Sequence, residues 1–176
     1  MKIVATRPDN RCIGSKIPAT NIAVQPIAVS FSFADFKCKS FRDERFNNCF
    51  KHFGDYGKFI AMFIAKLSNF SSMTVQELKL GGKATRCHKV ENKNRELLED
   101  ILKSTGMKEE KIEQIEEFYQ LTISTSNGRF MGYFIGNVFY VVLIDPHHLL
   151  YPDLKKSMNQ DLCNPYDPWK EFLDNY

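Results

Sequence analysis

The stretch Phe118-Tyr119-Gln120-Leu121-Thr122-Ile123-Ser124-Thr125-Ser126-Asn127-Gly128-Arg129-Phe130-Met131-Gly132-Tyr133-Phe134-Ile135-Gly136-Asn137-Val138-Phe139-Tyr140-Val141-Val142-Leu143-Ile144-Asp145 decides the fold. Phe118 to Thr125 alternates in character, Ser126-Asn127-Gly128 is a hairpin signal, and Arg129 to Ile135 is extended. Gly136-Asn137 makes a second tight turn before Val138 to Ile144, an unbroken run of β-formers. The order predicts a three-stranded antiparallel meander. Its last strand lacks polar alternation, the pattern of a strand covered on both faces.

Upstream, Ala28 to Phe33 alternates with Val29, Phe31 and Phe33 on one side and reads as a first strand. Residues 56–70 carry Phe59, Ile60, Phe63, Ile64 and Leu67 at helical spacing, and Thr74-Val75-Gln76-Glu77 has the spacing of a capping box, so a short helix is expected to run from Thr74 to Gly81-Gly82. Ala84 to Val90 is a possible edge strand. A third helix over 93–104 buries Leu97, Leu98, Ile101 and Leu102 and stops at Gly106, and 108–117 forms an acidic turn or two with Ile112 and Ile115 inward. Asp167-Pro168 starts a short terminal helix through Trp169, Phe172 and Leu173. The expected architecture is α+β: an antiparallel sheet ending in the meander, with helices packed on one face. Residues 1–27, punctuated by Pro8, Pro18 and Pro26, read as an irregular arm, 28–155 as a single domain, and 156–176 as an extension.

With 176 residues, 43% of them hydrophobic, the chain has material for one core. Its longest apolar run, Val138–Ile144, is far short of the roughly 18 residues of a membrane span, and the polar Thr6–Arg11 breaks any secretory signal, so work in the cytosol is expected. Cys12, Cys38, Cys49, Cys87 and Cys163 are odd in number and contain no C-x-x-C pair, which fits reduced thiols better than a disulfide framework or a zinc site. The net charge of +3 conceals an asymmetry. Residues 1–90 hold 15 Lys or Arg against 6 Asp or Glu, and residues 91–176 hold 9 against 15. Either a face attractive to polyanions or an accidental spread of surface charge accounts for this.

No phosphate-binding G-x-x-x-x-G-K, dinucleotide fingerprint, G-x-S-x-G elbow or H-E-x-x-H helix is present, so no cofactor is expected. Gly81-Gly82-Lys83 is too short for a phosphate loop and reads as a helix stop, with Lys83 counted among cations that a nucleic acid would meet. His147 follows the buried strand and is a candidate general acid or base that Asp145 orients. The competing reading is a turn in which Asp145 caps the backbone. Asp-x-His supplies too few ligands for a metal. Arg86 and His88 are expected on one side of the edge strand, and Arg129 on an otherwise apolar strand face needs a carboxylate or a ligand phosphate. Lys37, Lys39, Arg42, Arg45 and Lys51, interleaved with Phe36, Phe41, Phe46 and Phe50, describe either rings that stack on bases or an amphipathic loop whose aromatics are core.

The strand, helical pair and meander, with Arg129 opening its middle strand and His147 and Tyr151 after the long β-run, resemble the RelE/ParE-type superfamily of bacterial toxins over about residues 28–155. The chain departs from that pattern in its length, its front arm and its helical insertion at 93–117. It also resembles bacterial proteins with a Phe-Ser-Phe start and an Asp-Pro-x-His-x-Leu-Tyr close, which imply no function. The toxin resemblance implies a metal-independent ribonuclease of a toxin–antitoxin or defence system, with a protein antitoxin or another acidic partner. It implies His147 as acid or base, Arg129 and Arg86 as a phosphate clamp, and His88 or Tyr151 as the second proton-transfer group or a stacking surface. The alternative is a non-catalytic module binding nucleic acid or protein through its basic half, with the acidic 91–117 segment shielding that face.

Overall fold

The computed structural model describes residues 27–124, 128–152 and 162–173. The expected front arm, apart from Ile27, and Ser126-Asn127 of the first hairpin turn lie outside the described residues. The meander is present as β3 (Tyr119–Thr122), β4 (Arg129–Ile135) and β5 (Val138–Asp145), each strand antiparallel to the next. Two short strands complete a five-stranded sheet: β1 (Ser30–Ser32) beside β5 and β2 (His88–Lys89) beside β3, in the order β1-β5-β4-β3-β2. β1 runs parallel to β5, so the sheet is mixed although mostly antiparallel. A parallel pair needs a long crossover, and here everything between Ser32 and Val138 serves as one.

The amphipathic segments become α1 (Phe53–Phe70), α2 (Val75–Leu80), α4 (Asn92–Thr105) and α5 (Glu109–Glu113), with α6 (Pro168–Leu173) after the sheet. The capping box forms as spaced, with the Glu77 amide donating to the Thr74 hydroxyl and the Thr74 amide to the Glu77 carboxylate. Gly106 closes α4 at φ 105°, a conformation that glycine adopts without strain. The expected edge strand over 84–90 shrinks to two residues. Gly82–Thr85 instead coil into a single turn, α3, which Arg86 closes in the left-handed region at φ 46°.

The helices cover both faces of the sheet rather than one. Phe59, Phe63 and Leu67 of α1 and Leu78 of α2 pack on Phe130, Phe139 and Leu121. On the opposite face Leu98, Ile101 and Leu102 of α4 and Ile112 of α5 pack on Met131 and Leu143. Helical periodicity marks a buried stripe but carries no information about which side of a sheet receives it. The acidic 91–117 segment forms part of that structural layer, with Leu98, Ile101 and Ile112 almost wholly buried. Residues 162–173 likewise join the domain: Phe50 and Tyr166 exchange backbone hydrogen bonds of 2.8 Å, and Trp169 packs on Phe36.

Two local features hold the sheet in register. The β4–β5 pairing shifts between Met131 and Gly132, so Val142 is an extra residue and both Val142 and Leu143 enter the α4 side. A Cβ at Gly132 would lie 2.2 Å from the Tyr140 carbonyl oxygen and 2.5 Å from the Phe139 ring, which leaves room for glycine alone. The second feature is Asp35, 6% exposed, whose carboxylate accepts from the Tyr133 hydroxyl and the Lys111 ammonium, tying the segment after β1 to β4 and α5. Burial pushes its pKa up, but the bonds from Lys111 and Tyr133 and the Lys111 charge outweigh that and hold it below the usual range. A depressed folded-state value contributes stability that is complete above the unfolded pKa of about 3.9 and lost as pH falls through the lower folded value. Urea unfolding from pH 6 to pH 2 is expected to show Asp35→Asn less stable at neutral pH, with the gap to wild type closing below about pH 4. A gap constant across that range would refute the assignment.

Candidate anion-binding site

The site lies where β3 ends, β4 begins and β5 turns away from the sheet. Strand alternation decides which side chains reach it. Tyr119 and Leu121 point to the α1 side, so Gln120 and Thr122 point to the α4 side, and Arg129, opposite Thr122, shares their face. The turn after β5 then brings His148 and Tyr151 beside β2. Together Lys83, Arg86, His88, Gln120, His148 and Tyr151 border an open cavity of about 450 Å³.

Asp145 shapes that turn by capping it. Its Oδ1 accepts from the Leu149 amide and its Oδ2 from the Leu150 amide, each at 2.9 Å. Burial pushes its carboxyl pKa up, opposed by those amide hydrogen bonds. The capping reading thus holds over the orienting one. Both Asp145 oxygens accept from backbone amides, and Asp145 also interacts with His147 through that residue's amide and through charge.

His148 follows at φ 61° and Arg86 stands at φ 46°, so two non-glycine residues in the left-handed region face the same cavity. Such a backbone costs on the order of 1–3 kcal/mol per residue and is held only where the surroundings impose it. The His148 and Tyr151 rings stack 6.0 Å apart, and the His88 ring meets Tyr151 edge-on at 5.6 Å. The Glu91 amide donates to the Tyr151 hydroxyl at 2.9 Å and locks that ring in place. His88 Nδ1 lies 3.1 Å from the Lys89 carbonyl, which can only accept, so Nδ1 carries the proton. Nε2 is then the acceptor for the Gln120 amide nitrogen at 3.1 Å.

Arg129 lies behind this wall, 3% exposed, with Nη1 donating to the Ser124 carbonyl at 3.0 Å and the Gly128 carbonyl at 2.7 Å. Burial first, then the charge of Arg86, lower its pKa from the ordinary arginine range, while Asp145 opposes the shift. The hydrogen bonds of Arg129 thus go to backbone carbonyls, and the Asp145 carboxylate acts on it through its charge. The Nε atoms of Arg86 and Arg129 are both buried without a hydrogen-bond partner, as is Gln120 Oε1.

Of the residues singled out in sequence, the cavity unites Arg86, His88, Tyr151 and Lys83. His147 lies elsewhere. Its Nε2 donates to the Cys49 carbonyl at 2.6 Å, and it borders a smaller cavity on the α1 side with Phe50, Phe59 and Pro146. Lys37, Lys39 and Arg42 are exposed away from this wall, and Arg45 is paired with Asp43 and Asp100 at 3.3 and 3.4 Å. The interleaved rings are core: Phe46 and Phe50 are fully buried, and Phe36 and Phe41 pack against the two hydrophobic clusters. Phe46 and Phe50, being fully buried, offer no stacking platform. Gln120 and His148 were not anticipated. Gln120 occupies a polar position of an alternating strand, which sequence periodicity assigns to solvent.

Among the described residues no group of three or more His, Cys, Asp or Glu side chains is placed to hold a metal ion, and no helix is long and apolar enough to cross a membrane. Neither a curated protein nor a solved structure matches the chain. Residues 32–171, which include every side chain of the cavity, match the family model described as Uncharacterised protein UU032, and the chain belongs to that family.

Proposed function

We propose that the cavity binds a phosphate-bearing ligand and that this ligand is single-stranded RNA. The observation that carries the reading is the pair of neighbouring guanidinium groups, Arg86 and Arg129, whose Nε atoms are buried without hydrogen-bond partners, two cations beside the single charge of the buried Asp145 carboxylate. Like charges held together in a half-buried site favour an anion between or before them. Lys83 adds a third cation at the rim, and the stacked His148 and Tyr151 rings provide a flat surface of the kind on which bases rest.

Anisotropy of a labelled oligoribonucleotide across a salt series tests this reading. Lys83→Ala is expected to weaken binding and to reduce the salt slope by about 1, as removal of one phosphate contact does, while His147→Ala and Arg45→Ala leave both unchanged. Absence of binding at low salt, or a Lys83→Ala protein indistinguishable from wild type, refutes it.

Cleavage is a second reading, favoured by the placement of His88 and Tyr151 on the same cavity wall as Arg86. A metal-free ribonuclease needs one group to accept the 2′-hydroxyl proton and one to protonate the leaving oxygen. These two residues would divide the roles, and His147 would take none. Time-dependent loss of RNA that His88→Ala abolishes supports cleavage; intact RNA under saturating protein leaves a binding module.

A further inference from the structure

Three polar atoms in and behind this wall are buried without hydrogen-bond partners, and they are not all of one kind. Arg86 Nε can only donate and Gln120 Oε1 can only accept, and both residues border the cavity. Gln120 is 2% exposed, its amide nitrogen is already committed to His88 Nε2, and that histidine nitrogen is committed in turn because Nδ1 holds the ring proton. The free carbonyl end of Gln120 is therefore fixed as an acceptor.

A bare phosphate dianion satisfies Arg86 and Lys83 but offers Gln120 Oε1 another acceptor. A deoxyribose offers it only C–H groups. A hydroxyl group donates one hydrogen bond and accepts others, so it can serve a donor and an acceptor at once. In a polynucleotide the group that meets this description, one sugar atom away from a backbone phosphate, is the ribose 2′-hydroxyl. Arg86 is partly buried and His88 exposed, whereas Gln120 is buried in β3 and pairs across the sheet with His88 of β2.

We infer that Gln120 is the residue that selects ribose over deoxyribose, its Oε1 accepting the ligand's 2′-hydroxyl while Arg86 Nε donates to the same oxygen. The inference rests on the RNA-binding reading above and adds the chemical basis of its preference. DNA leaves that carbonyl as unpaired as it is in the free protein, whereas RNA gains the hydrogen bond.

The test compares one sequence as RNA, as DNA with uracil retained, and as 2′-O-methyl RNA, which keeps the oxygen but loses the proton. Wild-type protein is expected to bind RNA about tenfold more tightly than DNA, the size expected for one lost hydrogen bond with its unpaired partner, and to bind 2′-O-methyl RNA like DNA. Gln120→Met, close in size and without polar atoms, is expected to bring RNA affinity down to the DNA value while DNA affinity stays put, which also reports an intact fold. Equal affinity of wild type for RNA and DNA overturns the inference and leaves phosphate binding standing. So does 2′-O-methyl RNA binding like RNA. Failure of all three ligands to bind removes the underlying reading and this one with it.

Discussion

Asp145→Ala is expected to destabilise the fold by about 3–5 kcal/mol, the range found when one partner of a buried charged network is removed. The carboxylate is fully buried and accepts both the Leu149 and Leu150 amides. Truncation leaves two buried N–H groups unpaired and takes from Arg129 the negative charge that opposes Arg86. A small cavity adds to the cost. Because those amides set the turn carrying His148 and Tyr151, the variant is expected to lose ligand binding as well. Asp145→Asn keeps the shape and one acceptor and should fall between wild type and alanine. Urea titration monitored by circular dichroism gives the values. A loss below about 1 kcal/mol for the alanine variant would mean that the turn is held by its apolar contacts, chiefly Leu149 and Leu150, and not by the carboxylate.

Arg86→Gly is expected to move stability and binding in opposite directions. Arg86 sits at φ 46°, where glycine is unstrained, so the substitution removes left-handed strain and the repulsion between neighbouring guanidinium groups. The greater freedom of glycine in the unfolded chain offsets part of that gain, leaving the variant equal to wild type or more stable by about 0.5–1 kcal/mol. RNA affinity is expected to fall at least tenfold, because a guanidinium–phosphate contact is lost. Arg86→Ala separates the two effects: it loses the same binding and keeps the strain. Both variants are read by thermal unfolding and by anisotropy. A glycine variant that binds normally would remove Arg86 from the site, and one that unfolds more readily would make it a structural residue.

Most of the framework is legible in the chain because it is written in local periodicity. The meander, the amphipathic helices, the capping box at Thr74 and the glycine stop at Gly106 each follow from residues within a few positions of one another. The placement of the helices does not. An apolar stripe says that a face is buried, and the choice of sheet face depends on the lengths and directions of the connections around it, so α1 and α4 end on opposite sides. The interleaved Phe and basic residues of 36–50 show the same limit. Their composition fits stacking or core, and only the burial of Phe46 and Phe50 selects core.

The sequence alone determined most of the secondary structure, though not the turn at Gly82–Thr85, together with the α+β class and the chemistry available: arginine, histidine, tyrosine and a strand-end aspartate. Tertiary structure decided which of these meet. His147 and His148 are adjacent in the chain, yet the first turns to the α1 side and the second, at φ 61°, to the α4 side. Gln120 looks like a solvated strand residue, yet it is 2% exposed beside His88 of β2. The cavity gathers residues 82–88, 120 and 148–151 from three separate segments. Alternation and helical spacing act over a few residues, whereas convergence of side chains is set by how whole layers pack, which is why the elements could be read in advance and the site could not.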